Sequence, residues 1–373
     1  IFSFLFIYVS HAQNRTIPVD TVVTTSHTTK IKGVTVNYEA QTGTQPVWNK
    51  EGQPIATLFY TYYRRTDIKK GNQRPLIFSF NGGPGSASVW MHIAYTGPRI
   101  LKIDDEGYPV QPYGYRENPN SVLDVADIVF INPVNTGYSR MLKIDGEFPD
   151  RKLFFGINED INYLAEWLTT FVSRKARWES PKYLIGESYG GTRVMGLSAA
   201  LQERQWMYLN GVILVSPADY KVIRVGGPVS SALNLPYYAA AAWFHNKLPS
   251  RLQQKDLTEM LPEVEEYTIN TVIPTLAKGG FIDANEKRKV ANKMAEYSGL
   301  SLNSVLQNNL DIPTRFFWKD LLRDQGKTIG RLDSRYLGID RKDAGIGPDY
   351  SAELTSWLHS FTPAINHYIR TEL

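Results

Sequence analysis

The sequence predicts an α/β architecture: a mostly parallel sheet flanked by helices and carrying a helical cap insertion. Three observations point there. Short, continuously apolar runs recur at 76–80, 128–131, 183–185 and 212–215, each leading into Asn, Gly or Pro, as strands buried on both faces do. Helical periodicity lies between them, clearest at 158–174, where Ile161, Leu164, Ala165, Leu168 and Val172 share one face. After about residue 219 the runs stop and amphipathic segments follow one another, at 235–247, 253–261, 285–297 and 315–323. Alternating strand and helix imply a parallel sheet covered by helices, and the helical tail reads as the cap.

Taken in order, residues 1–9 form an apolar run, followed by Ser10, His11 and Ala12. Small residues after a short h-region fit a secretory cleavage site, and the run is too short to span a bilayer. Residues 1–12 are therefore expected to be the remnant of a signal peptide on a secreted or periplasmic protein; the alternative is a buried N-terminal strand. Alternating segments at 34–38 and 57–62 then suggest antiparallel strands ahead of the parallel ones. The expected organisation is a core over 13–218 and a cap over 219–373.

Composition excludes several classes. The 373 residues are 42% hydrophobic, enough for a sizeable core. Forty-one basic residues against 37 acidic leave a net charge of +4, with no basic block or aromatic-interleaved stripe, which argues against a nucleic-acid partner. There is no cysteine, hence no disulfide, thiolate nucleophile or CxxC chemistry. The six histidines show no metal-ligand spacing, and neither a metal nor another cofactor is expected. Stable membrane association is not expected either.

The chemistry is carried by two motifs. Gly186-Glu187-Ser188-Tyr189-Gly190 is a GxSxG sequence directly after an apolar run and before a helix-compatible stretch at 192–204. A strand, a sharp turn and a helix form the setting in which a serine is held up as a nucleophile, and the flanking glycines avoid collisions at that turn. Upstream, Asn81-Gly82-Gly83-Pro84-Gly85-Ser86 follows another apolar run. An acyl-transfer site needs two backbone N–H groups aimed at the developing oxyanion, one from the residue after the nucleophile, here Tyr189, and one from such a glycine-rich loop, here Gly83. The loop lacks the Lys-Ser/Thr ending and the GxGxxG spacing of phosphate-binding loops. Together the motifs indicate a serine hydrolase of the α/β-hydrolase fold with Ser188 as nucleophile.

The two motifs as written, with Asn132-Pro133-Val134-Asn135-Thr136-Gly137-Tyr138-Ser139, resemble the serine carboxypeptidase family; the resemblance runs from about Gly33 onward. Leu321 to Gly326 with Gly330-Arg331-Leu332-Asp333 resembles bacterial members, without a role to assign. The resemblance implies that Asn81 and Glu187 bind the terminal carboxylate of a peptide substrate. Two adjacent carboxylates repel unless one is protonated, so Glu187 is expected to act there as a neutral hydrogen-bond donor. Two positions depart from the family pattern: Tyr95 stands where some members carry a second carboxylate-sensing Glu, and Asn132 where an Asp is common.

The triad is the gap. Its chain order in this fold is Ser, Asp, His, and family spacing implies an Asp and a His beyond Leu373. His245, His359 and His367 fall in expected helices, and Asp333, Asp340 and Asp349 follow no recognisable strand. The expectation is a serine-type carboxypeptidase releasing C-terminal amino acids, represented here by an inactive fragment without its last strands. An esterase or acyltransferase of the same fold, or a catalytically dead binding protein, are the alternatives.

Overall fold

A Thr-rich segment opens the architecture. The computed structural model describes residues 18–68, 73–105, 107–218 and 227–373; the expected signal remnant at 1–12 lies outside them. Strand β1 (Thr21–Ile31) pairs with β2 (Val34–Trp48) across Lys32 and Gly33, both at positive φ (49° and 81°), and β2 pairs with β3 (Pro54–Arg65), all antiparallel. A two-residue loop with both residues at positive φ matches the right-handed twist of its flanking strands. Strand β1 was not expected. Its threonines and serine read as polar, although β-branched residues suit a half-exposed strand.

The rest of the sheet is parallel apart from the two-residue strand Arg140–Met141, which pairs antiparallel with β3. Strand β4 (Leu76–Phe80) precedes a small hairpin of β5 (Arg99–Leu101) and β6 (Tyr115–Glu117), and then come β7 (Asp127–Ile131), β8 (Arg140–Met141), β9 (Lys182–Glu187) and β10 (Gly211–Val215). The order is β1-β2-β3-β7-β4-β9-β10, with β8 beside β3. β7, β4, β9 and β10 run parallel, and β3 meets β7 antiparallel. All four expected apolar runs are strands. Every residue of β4 and β7 is buried, whereas β10 is half exposed at the sheet edge.

Helix α1 (Ile157–Arg174) links β8 to β9, and α2 (Tyr189–Arg204) links β9 to β10. The core-facing stripe of α1 is the expected one, deepened by Trp167 and Phe171, whose rings pack against Tyr60, Tyr62 and Phe78. The chain passes from β4 to β7 on one side and returns to β9 on the other. The order thus reverses at β4, and ligands of open parallel sheets bind beyond the carboxyl ends of the strands at such a point. Both sequence motifs begin there.

The chain divides into two compact units, 1–102 with 111–218 and 363–373, and 103–110 with 219–362. The sheet belongs to the first. Its last segment is tied in by Tyr368, whose hydroxyl meets that of Tyr63 at 2.9 Å, while Tyr63 bonds His92 Nε2 at 2.5 Å. The expected cap ran through to 373; the segment 363–373 sits instead with the sheet.

The second unit is built of helices α3 (Pro228–Ala232), α4 (Leu235–Phe244), α5 (Ser250–Gln253), α6 (Leu257–Tyr267), α7 (Ile273–Ala277), α8 (Ala284–Ser298), α9 (Leu302–Gln307) and α10 (Thr314–Asp320). A two-stranded pair follows, β11 (Thr328–Ile329) with β12 (Leu337–Gly338), and then α11 (Ala352–Thr371), whose end lies in the first unit. The helices enclose their own core around Tyr238, Met260, Val264, Ala291, Tyr297 and Phe317. The expected helix at 253–261 is broken, because Asp256 caps α6 by accepting from the Thr258 N–H and so starts a new helix.

Candidate active site

The end of β9 turns sharply into α2 at Ser188, which has φ 58° and ψ −123°, a left-handed conformation that a side-chain-bearing residue rarely adopts. Backbone bonds hold it there: the Ser188 N–H donates to Val215 O at 3.0 Å, and the Ser188 carbonyl accepts from Gly191 and Ala218, each at 2.9 Å. The flanking glycines are required by space. A Cβ on Gly186 would sit 2.0 Å from Gly190 O, one on Gly190 2.8 Å from Phe80 O, and one on Gly191 2.7 Å from Pro217 Cβ. The hydroxyl-bearing residue is thus presented on a tight strand-to-helix elbow at the topological switch.

The loop after β4 lies against this elbow. A Cβ on Gly82 would fall 2.5 Å from Tyr189 N and 2.8 Å from Ser188 Cβ, so any side chain at 82 would fill the space in front of the serine. Gly83 has φ 111°, is exposed, and among the described residues its N–H donates to nothing. This glycine-lined approach is the geometry that two converging backbone donors need.

Asn81, 98% buried, donates from Nδ2 to Glu187 Oε2 at 2.9 Å and accepts the Met91 N–H on Oδ1 at 3.0 Å. The second bond sets which end of the amide faces Glu187. Glu187 is half-buried beside the elbow. Tyr95 stands close by, in a turn of π-helix at Met91–Thr96, and burial, with the charge of Glu187 adding to it, raises its phenol above the usual range. The structure thus brings Asn81, Gly83, Glu187, Ser188 and Tyr189 to one place.

Two supporting residues, Arg193 and Ser88, escaped the sequence reading. Arg193, 1% exposed, pairs with Asp160 at 2.7 Å and donates to Asn81 O at 2.8 Å and Pro84 O at 3.3 Å, clamping the glycine loop from beneath. Its position should have raised the question, since it lies one helical turn from both Tyr189 and Leu197 on the buried face of α2. Ser88 bridges Ser79 O at 3.3 Å and Ile131 O at 2.5 Å, tying the ends of β4 and β7 together. Asn132, noted in the sequence as a departure from the family pattern, accepts the Ser88 N–H at 3.0 Å and leaves no room for a side chain at Gly137.

Among the described residues the Ser188 hydroxyl has no hydrogen-bond partner. In its own unit, His27 bonds Thr25 at 2.7 Å, His92 is enclosed with Tyr63, and His367 lies against the Tyr115 ring. In the second unit His245 meets Ser334 O at 2.6 Å, Asp340 pairs with Lys319 and Asp333 with Arg335. No group of His, Asp or Glu among the described residues is arranged to hold a metal ion.

A family model described as serine carboxypeptidase matches residues 33–311, more than half of the chain. The chain belongs to the serine carboxypeptidase family. Within this family it is similar to serine carboxypeptidase-like 36 of Arabidopsis thaliana, 29% identical over 171 residues, which cover 44% of this chain and 33% of that protein. It is also similar to the pheromone-processing carboxypeptidase kex1 of Sclerotinia sclerotiorum, 28% identical over 148 residues, covering 39% of this chain and 21% of the relative. The matches therefore span a third or less of these curated relatives. Among solved structures, the prohormone-processing carboxypeptidase Kex1(Δ)p from Saccharomyces cerevisiae aligns at a TM-score of 0.42 and 17% identity, over 70% of this chain and 53% of that one. These relatives are from a plant and from fungi, and they lend no support to the bacterial likeness of 321–333. The family and the strand–elbow–helix arrangement agree on an α/β-hydrolase fold.

Proposed function

We propose that the protein is a serine-type carboxypeptidase acting on peptides with a free C-terminus. The observation that carries this is the Asn81–Glu187 hydrogen bond directly beside the Ser188 elbow. An ester or acyl-transfer substrate without a free carboxylate has no use for a buried amide and a carboxyl group placed there.

In this reading the substrate's terminal carboxylate meets Asn81 Nδ2 and the Glu187 carboxyl group, which orients the last peptide bond over Ser188. Ser188 Oγ attacks that carbonyl carbon, and its proton passes to a base. The negative charge gathers on the carbonyl oxygen between the Gly83 and Tyr189 N–H groups. Collapse breaks the C–N bond, the released amino acid takes the proton on its amine, and the shortened peptide remains as an ester on Ser188. Water then cleaves the ester and regenerates the hydroxyl. No step calls on a metal or cofactor. The apolar run at 1–9 with Ser10 and Ala12 supports secretion, and among the described residues no helix is long and apolar enough to cross a membrane.

The test uses the protein expressed from its complete coding sequence. Ser188→Ala should remove nearly all peptide hydrolysis, a loss on the order of 10⁶-fold in kcat, by the behaviour of other serine triads. A variant retaining a tenth of the wild-type turnover would exclude Ser188 as the nucleophile.

A further inference from the structure

In the second unit, the Gly330-Arg331-Leu332-Asp333 sequence that the catalytic reading leaves without a role contributes Arg331 to the lining of a cavity of about 350 Å³. Arg315, Trp318, Ile329, Arg331, Asp349 and Tyr350 line it. That volume is in the range of small-molecule sites, and an apolar wall with a few converging polar groups is their usual make-up.

The lining is built in place. Glu353, fully buried, accepts the Arg331 N–H at 3.2 Å and the Leu332 N–H, which fixes the backbone that carries the Arg331 side chain. Gly330 must be glycine for this, since a Cβ there would lie 2.4 Å from Glu353 Oε2. Trp318 donates its indole N–H to Tyr237 Oη at 2.8 Å, Tyr237 meets Ser334 Oγ at 2.6 Å, and Ser334 Oγ donates to Gly330 O at 3.3 Å. One hydrogen-bonded relay thus pins the tryptophan and the arginine loop to each other. Arg315 lies over Gly347, where a Cβ would come within 2.3 Å of its Cγ and Nε, and donates to Pro348 O at 3.3 Å.

The charges do not cancel. Asp349 is the acidic lining residue, and one of its oxygens already accepts the Arg341 N–H at 3.1 Å. Arg315 makes no ion pair among the described residues, and the Arg331 guanidinium meets no acceptor among them. Nearby Lys319 is neutralised by Asp340 at 2.5 Å. Two guanidinium forks beside an indole and an isoleucine fit a flat, charged head on an apolar body.

We propose that this cavity, whose lining shares no residue with the Ser188 centre, is a second binding site, for a small organic carboxylate. The carboxylate is held by Arg315 and Arg331, and the apolar portion lies against Trp318 and Ile329.

The test is titration calorimetry of the purified protein with 3-phenylpropionate, and with 3-phenylpropionamide as the uncharged control. Saturable binding of the acid is expected, weakened about ten-fold or more in Arg331→Gln and in Arg315→Gln, as befits the loss of a charge-assisted hydrogen bond. The amide should be weakened to a similar degree. Arg331 projects from an exposed position, so Arg331→Gln should keep the wild-type melting temperature and answers for the site even if Arg315→Gln folds poorly. Glu187→Gln should leave this binding within about two-fold, because it alters only the carboxylate reader beside Ser188. No saturable binding of the acid, equal binding of the amide, binding indifferent to Arg331→Gln, or binding lost in Glu187→Gln would each overturn the proposal.

Discussion

Replacing Arg193 with Met tests how the glycine loop is held. The guanidinium is 1% exposed and Asp160 7%, and they meet at 2.7 Å within the first unit. Removing the cation alone leaves a buried carboxylate whose described remaining partner is the Tyr163 hydroxyl at 3.1 Å. Breaking a buried ion pair from one side costs about 3–5 kcal/mol. The buried Asn81 carbonyl also loses its 2.8 Å donor, which adds about 1 kcal/mol. Met fills much of the volume, so cavity formation contributes little. We expect urea unfolding, followed by tryptophan fluorescence, to show a loss of about 4 kcal/mol at an unchanged m-value, and a melting point lower by roughly 10 °C. Adding Asp160→Asn keeps an acceptor for Tyr163 and removes the stranded charge, so the double variant should regain at least half of the loss. A single variant less than about 1 kcal/mol below wild type, or a double variant no better than the single, would refute the reasoning.

Two further outcomes follow from the first unit. His92 is enclosed by Tyr63, Phe130 and Tyr368, and burial lowers its pKa to about 3. The folded value lies below the unfolded one of about 6.5, so this stability is present above pH 6.5 and is lost as the pH falls toward 3, at about 1.4 kcal/mol per pH unit. Unfolding free energies between pH 7 and 4 should show a steeper fall in wild type than in His92→Phe; parallel curves would exclude this residue as the source. Strand β10 exposes Val212, Ile213 and Leu214 at 37%, 43% and 40%, and among the described residues no strand pairs with its outer edge. The 373-residue chain should therefore self-associate in sedimentation runs, and Ile213→Lys should suppress that; association unchanged by the lysine would mean that another surface is responsible.

The parallel strands and the elbow were legible because each is a local signal. A strand buried on both faces must be continuously apolar, as at 76–80 and 128–131, and a serine held at positive φ between close-packed backbones needs glycine on either side. The supports were not legible, because their meaning is set by distant partners. Arg193 and Asp160 look like surface charges on two helices until α1 and α2 pack together, and Ser88 gains its role only when β4 and β7 lie side by side. Strand β1 was obscured because threonines satisfy a half-exposed strand without an apolar run. The membership of 103–110 in the second unit and of 363–373 in the first depends on long-range packing, as Tyr368 against Tyr63 illustrates, and no periodicity announces it.

The central claim is that Asn81 and Glu187 read a substrate's terminal carboxylate for Ser188. Its most direct measurement is kcat/KM against pH for a blocked dipeptide with a free C-terminus and for its C-terminal amide. Both are assayed with the protein from its complete coding sequence, as wild type and as Glu187→Gln. The account predicts that the amide is cleaved at least about 100-fold more slowly, since it cannot fill a site built for a carboxylate. It also predicts that Glu187→Gln, which keeps a hydrogen-bonding side chain beside Asn81 without a charge, retains activity on the acid and the preference for acid over amide. Equal cleavage of acid and amide at every pH would contradict the account and leave an esterase or acyltransferase as the reading of this site.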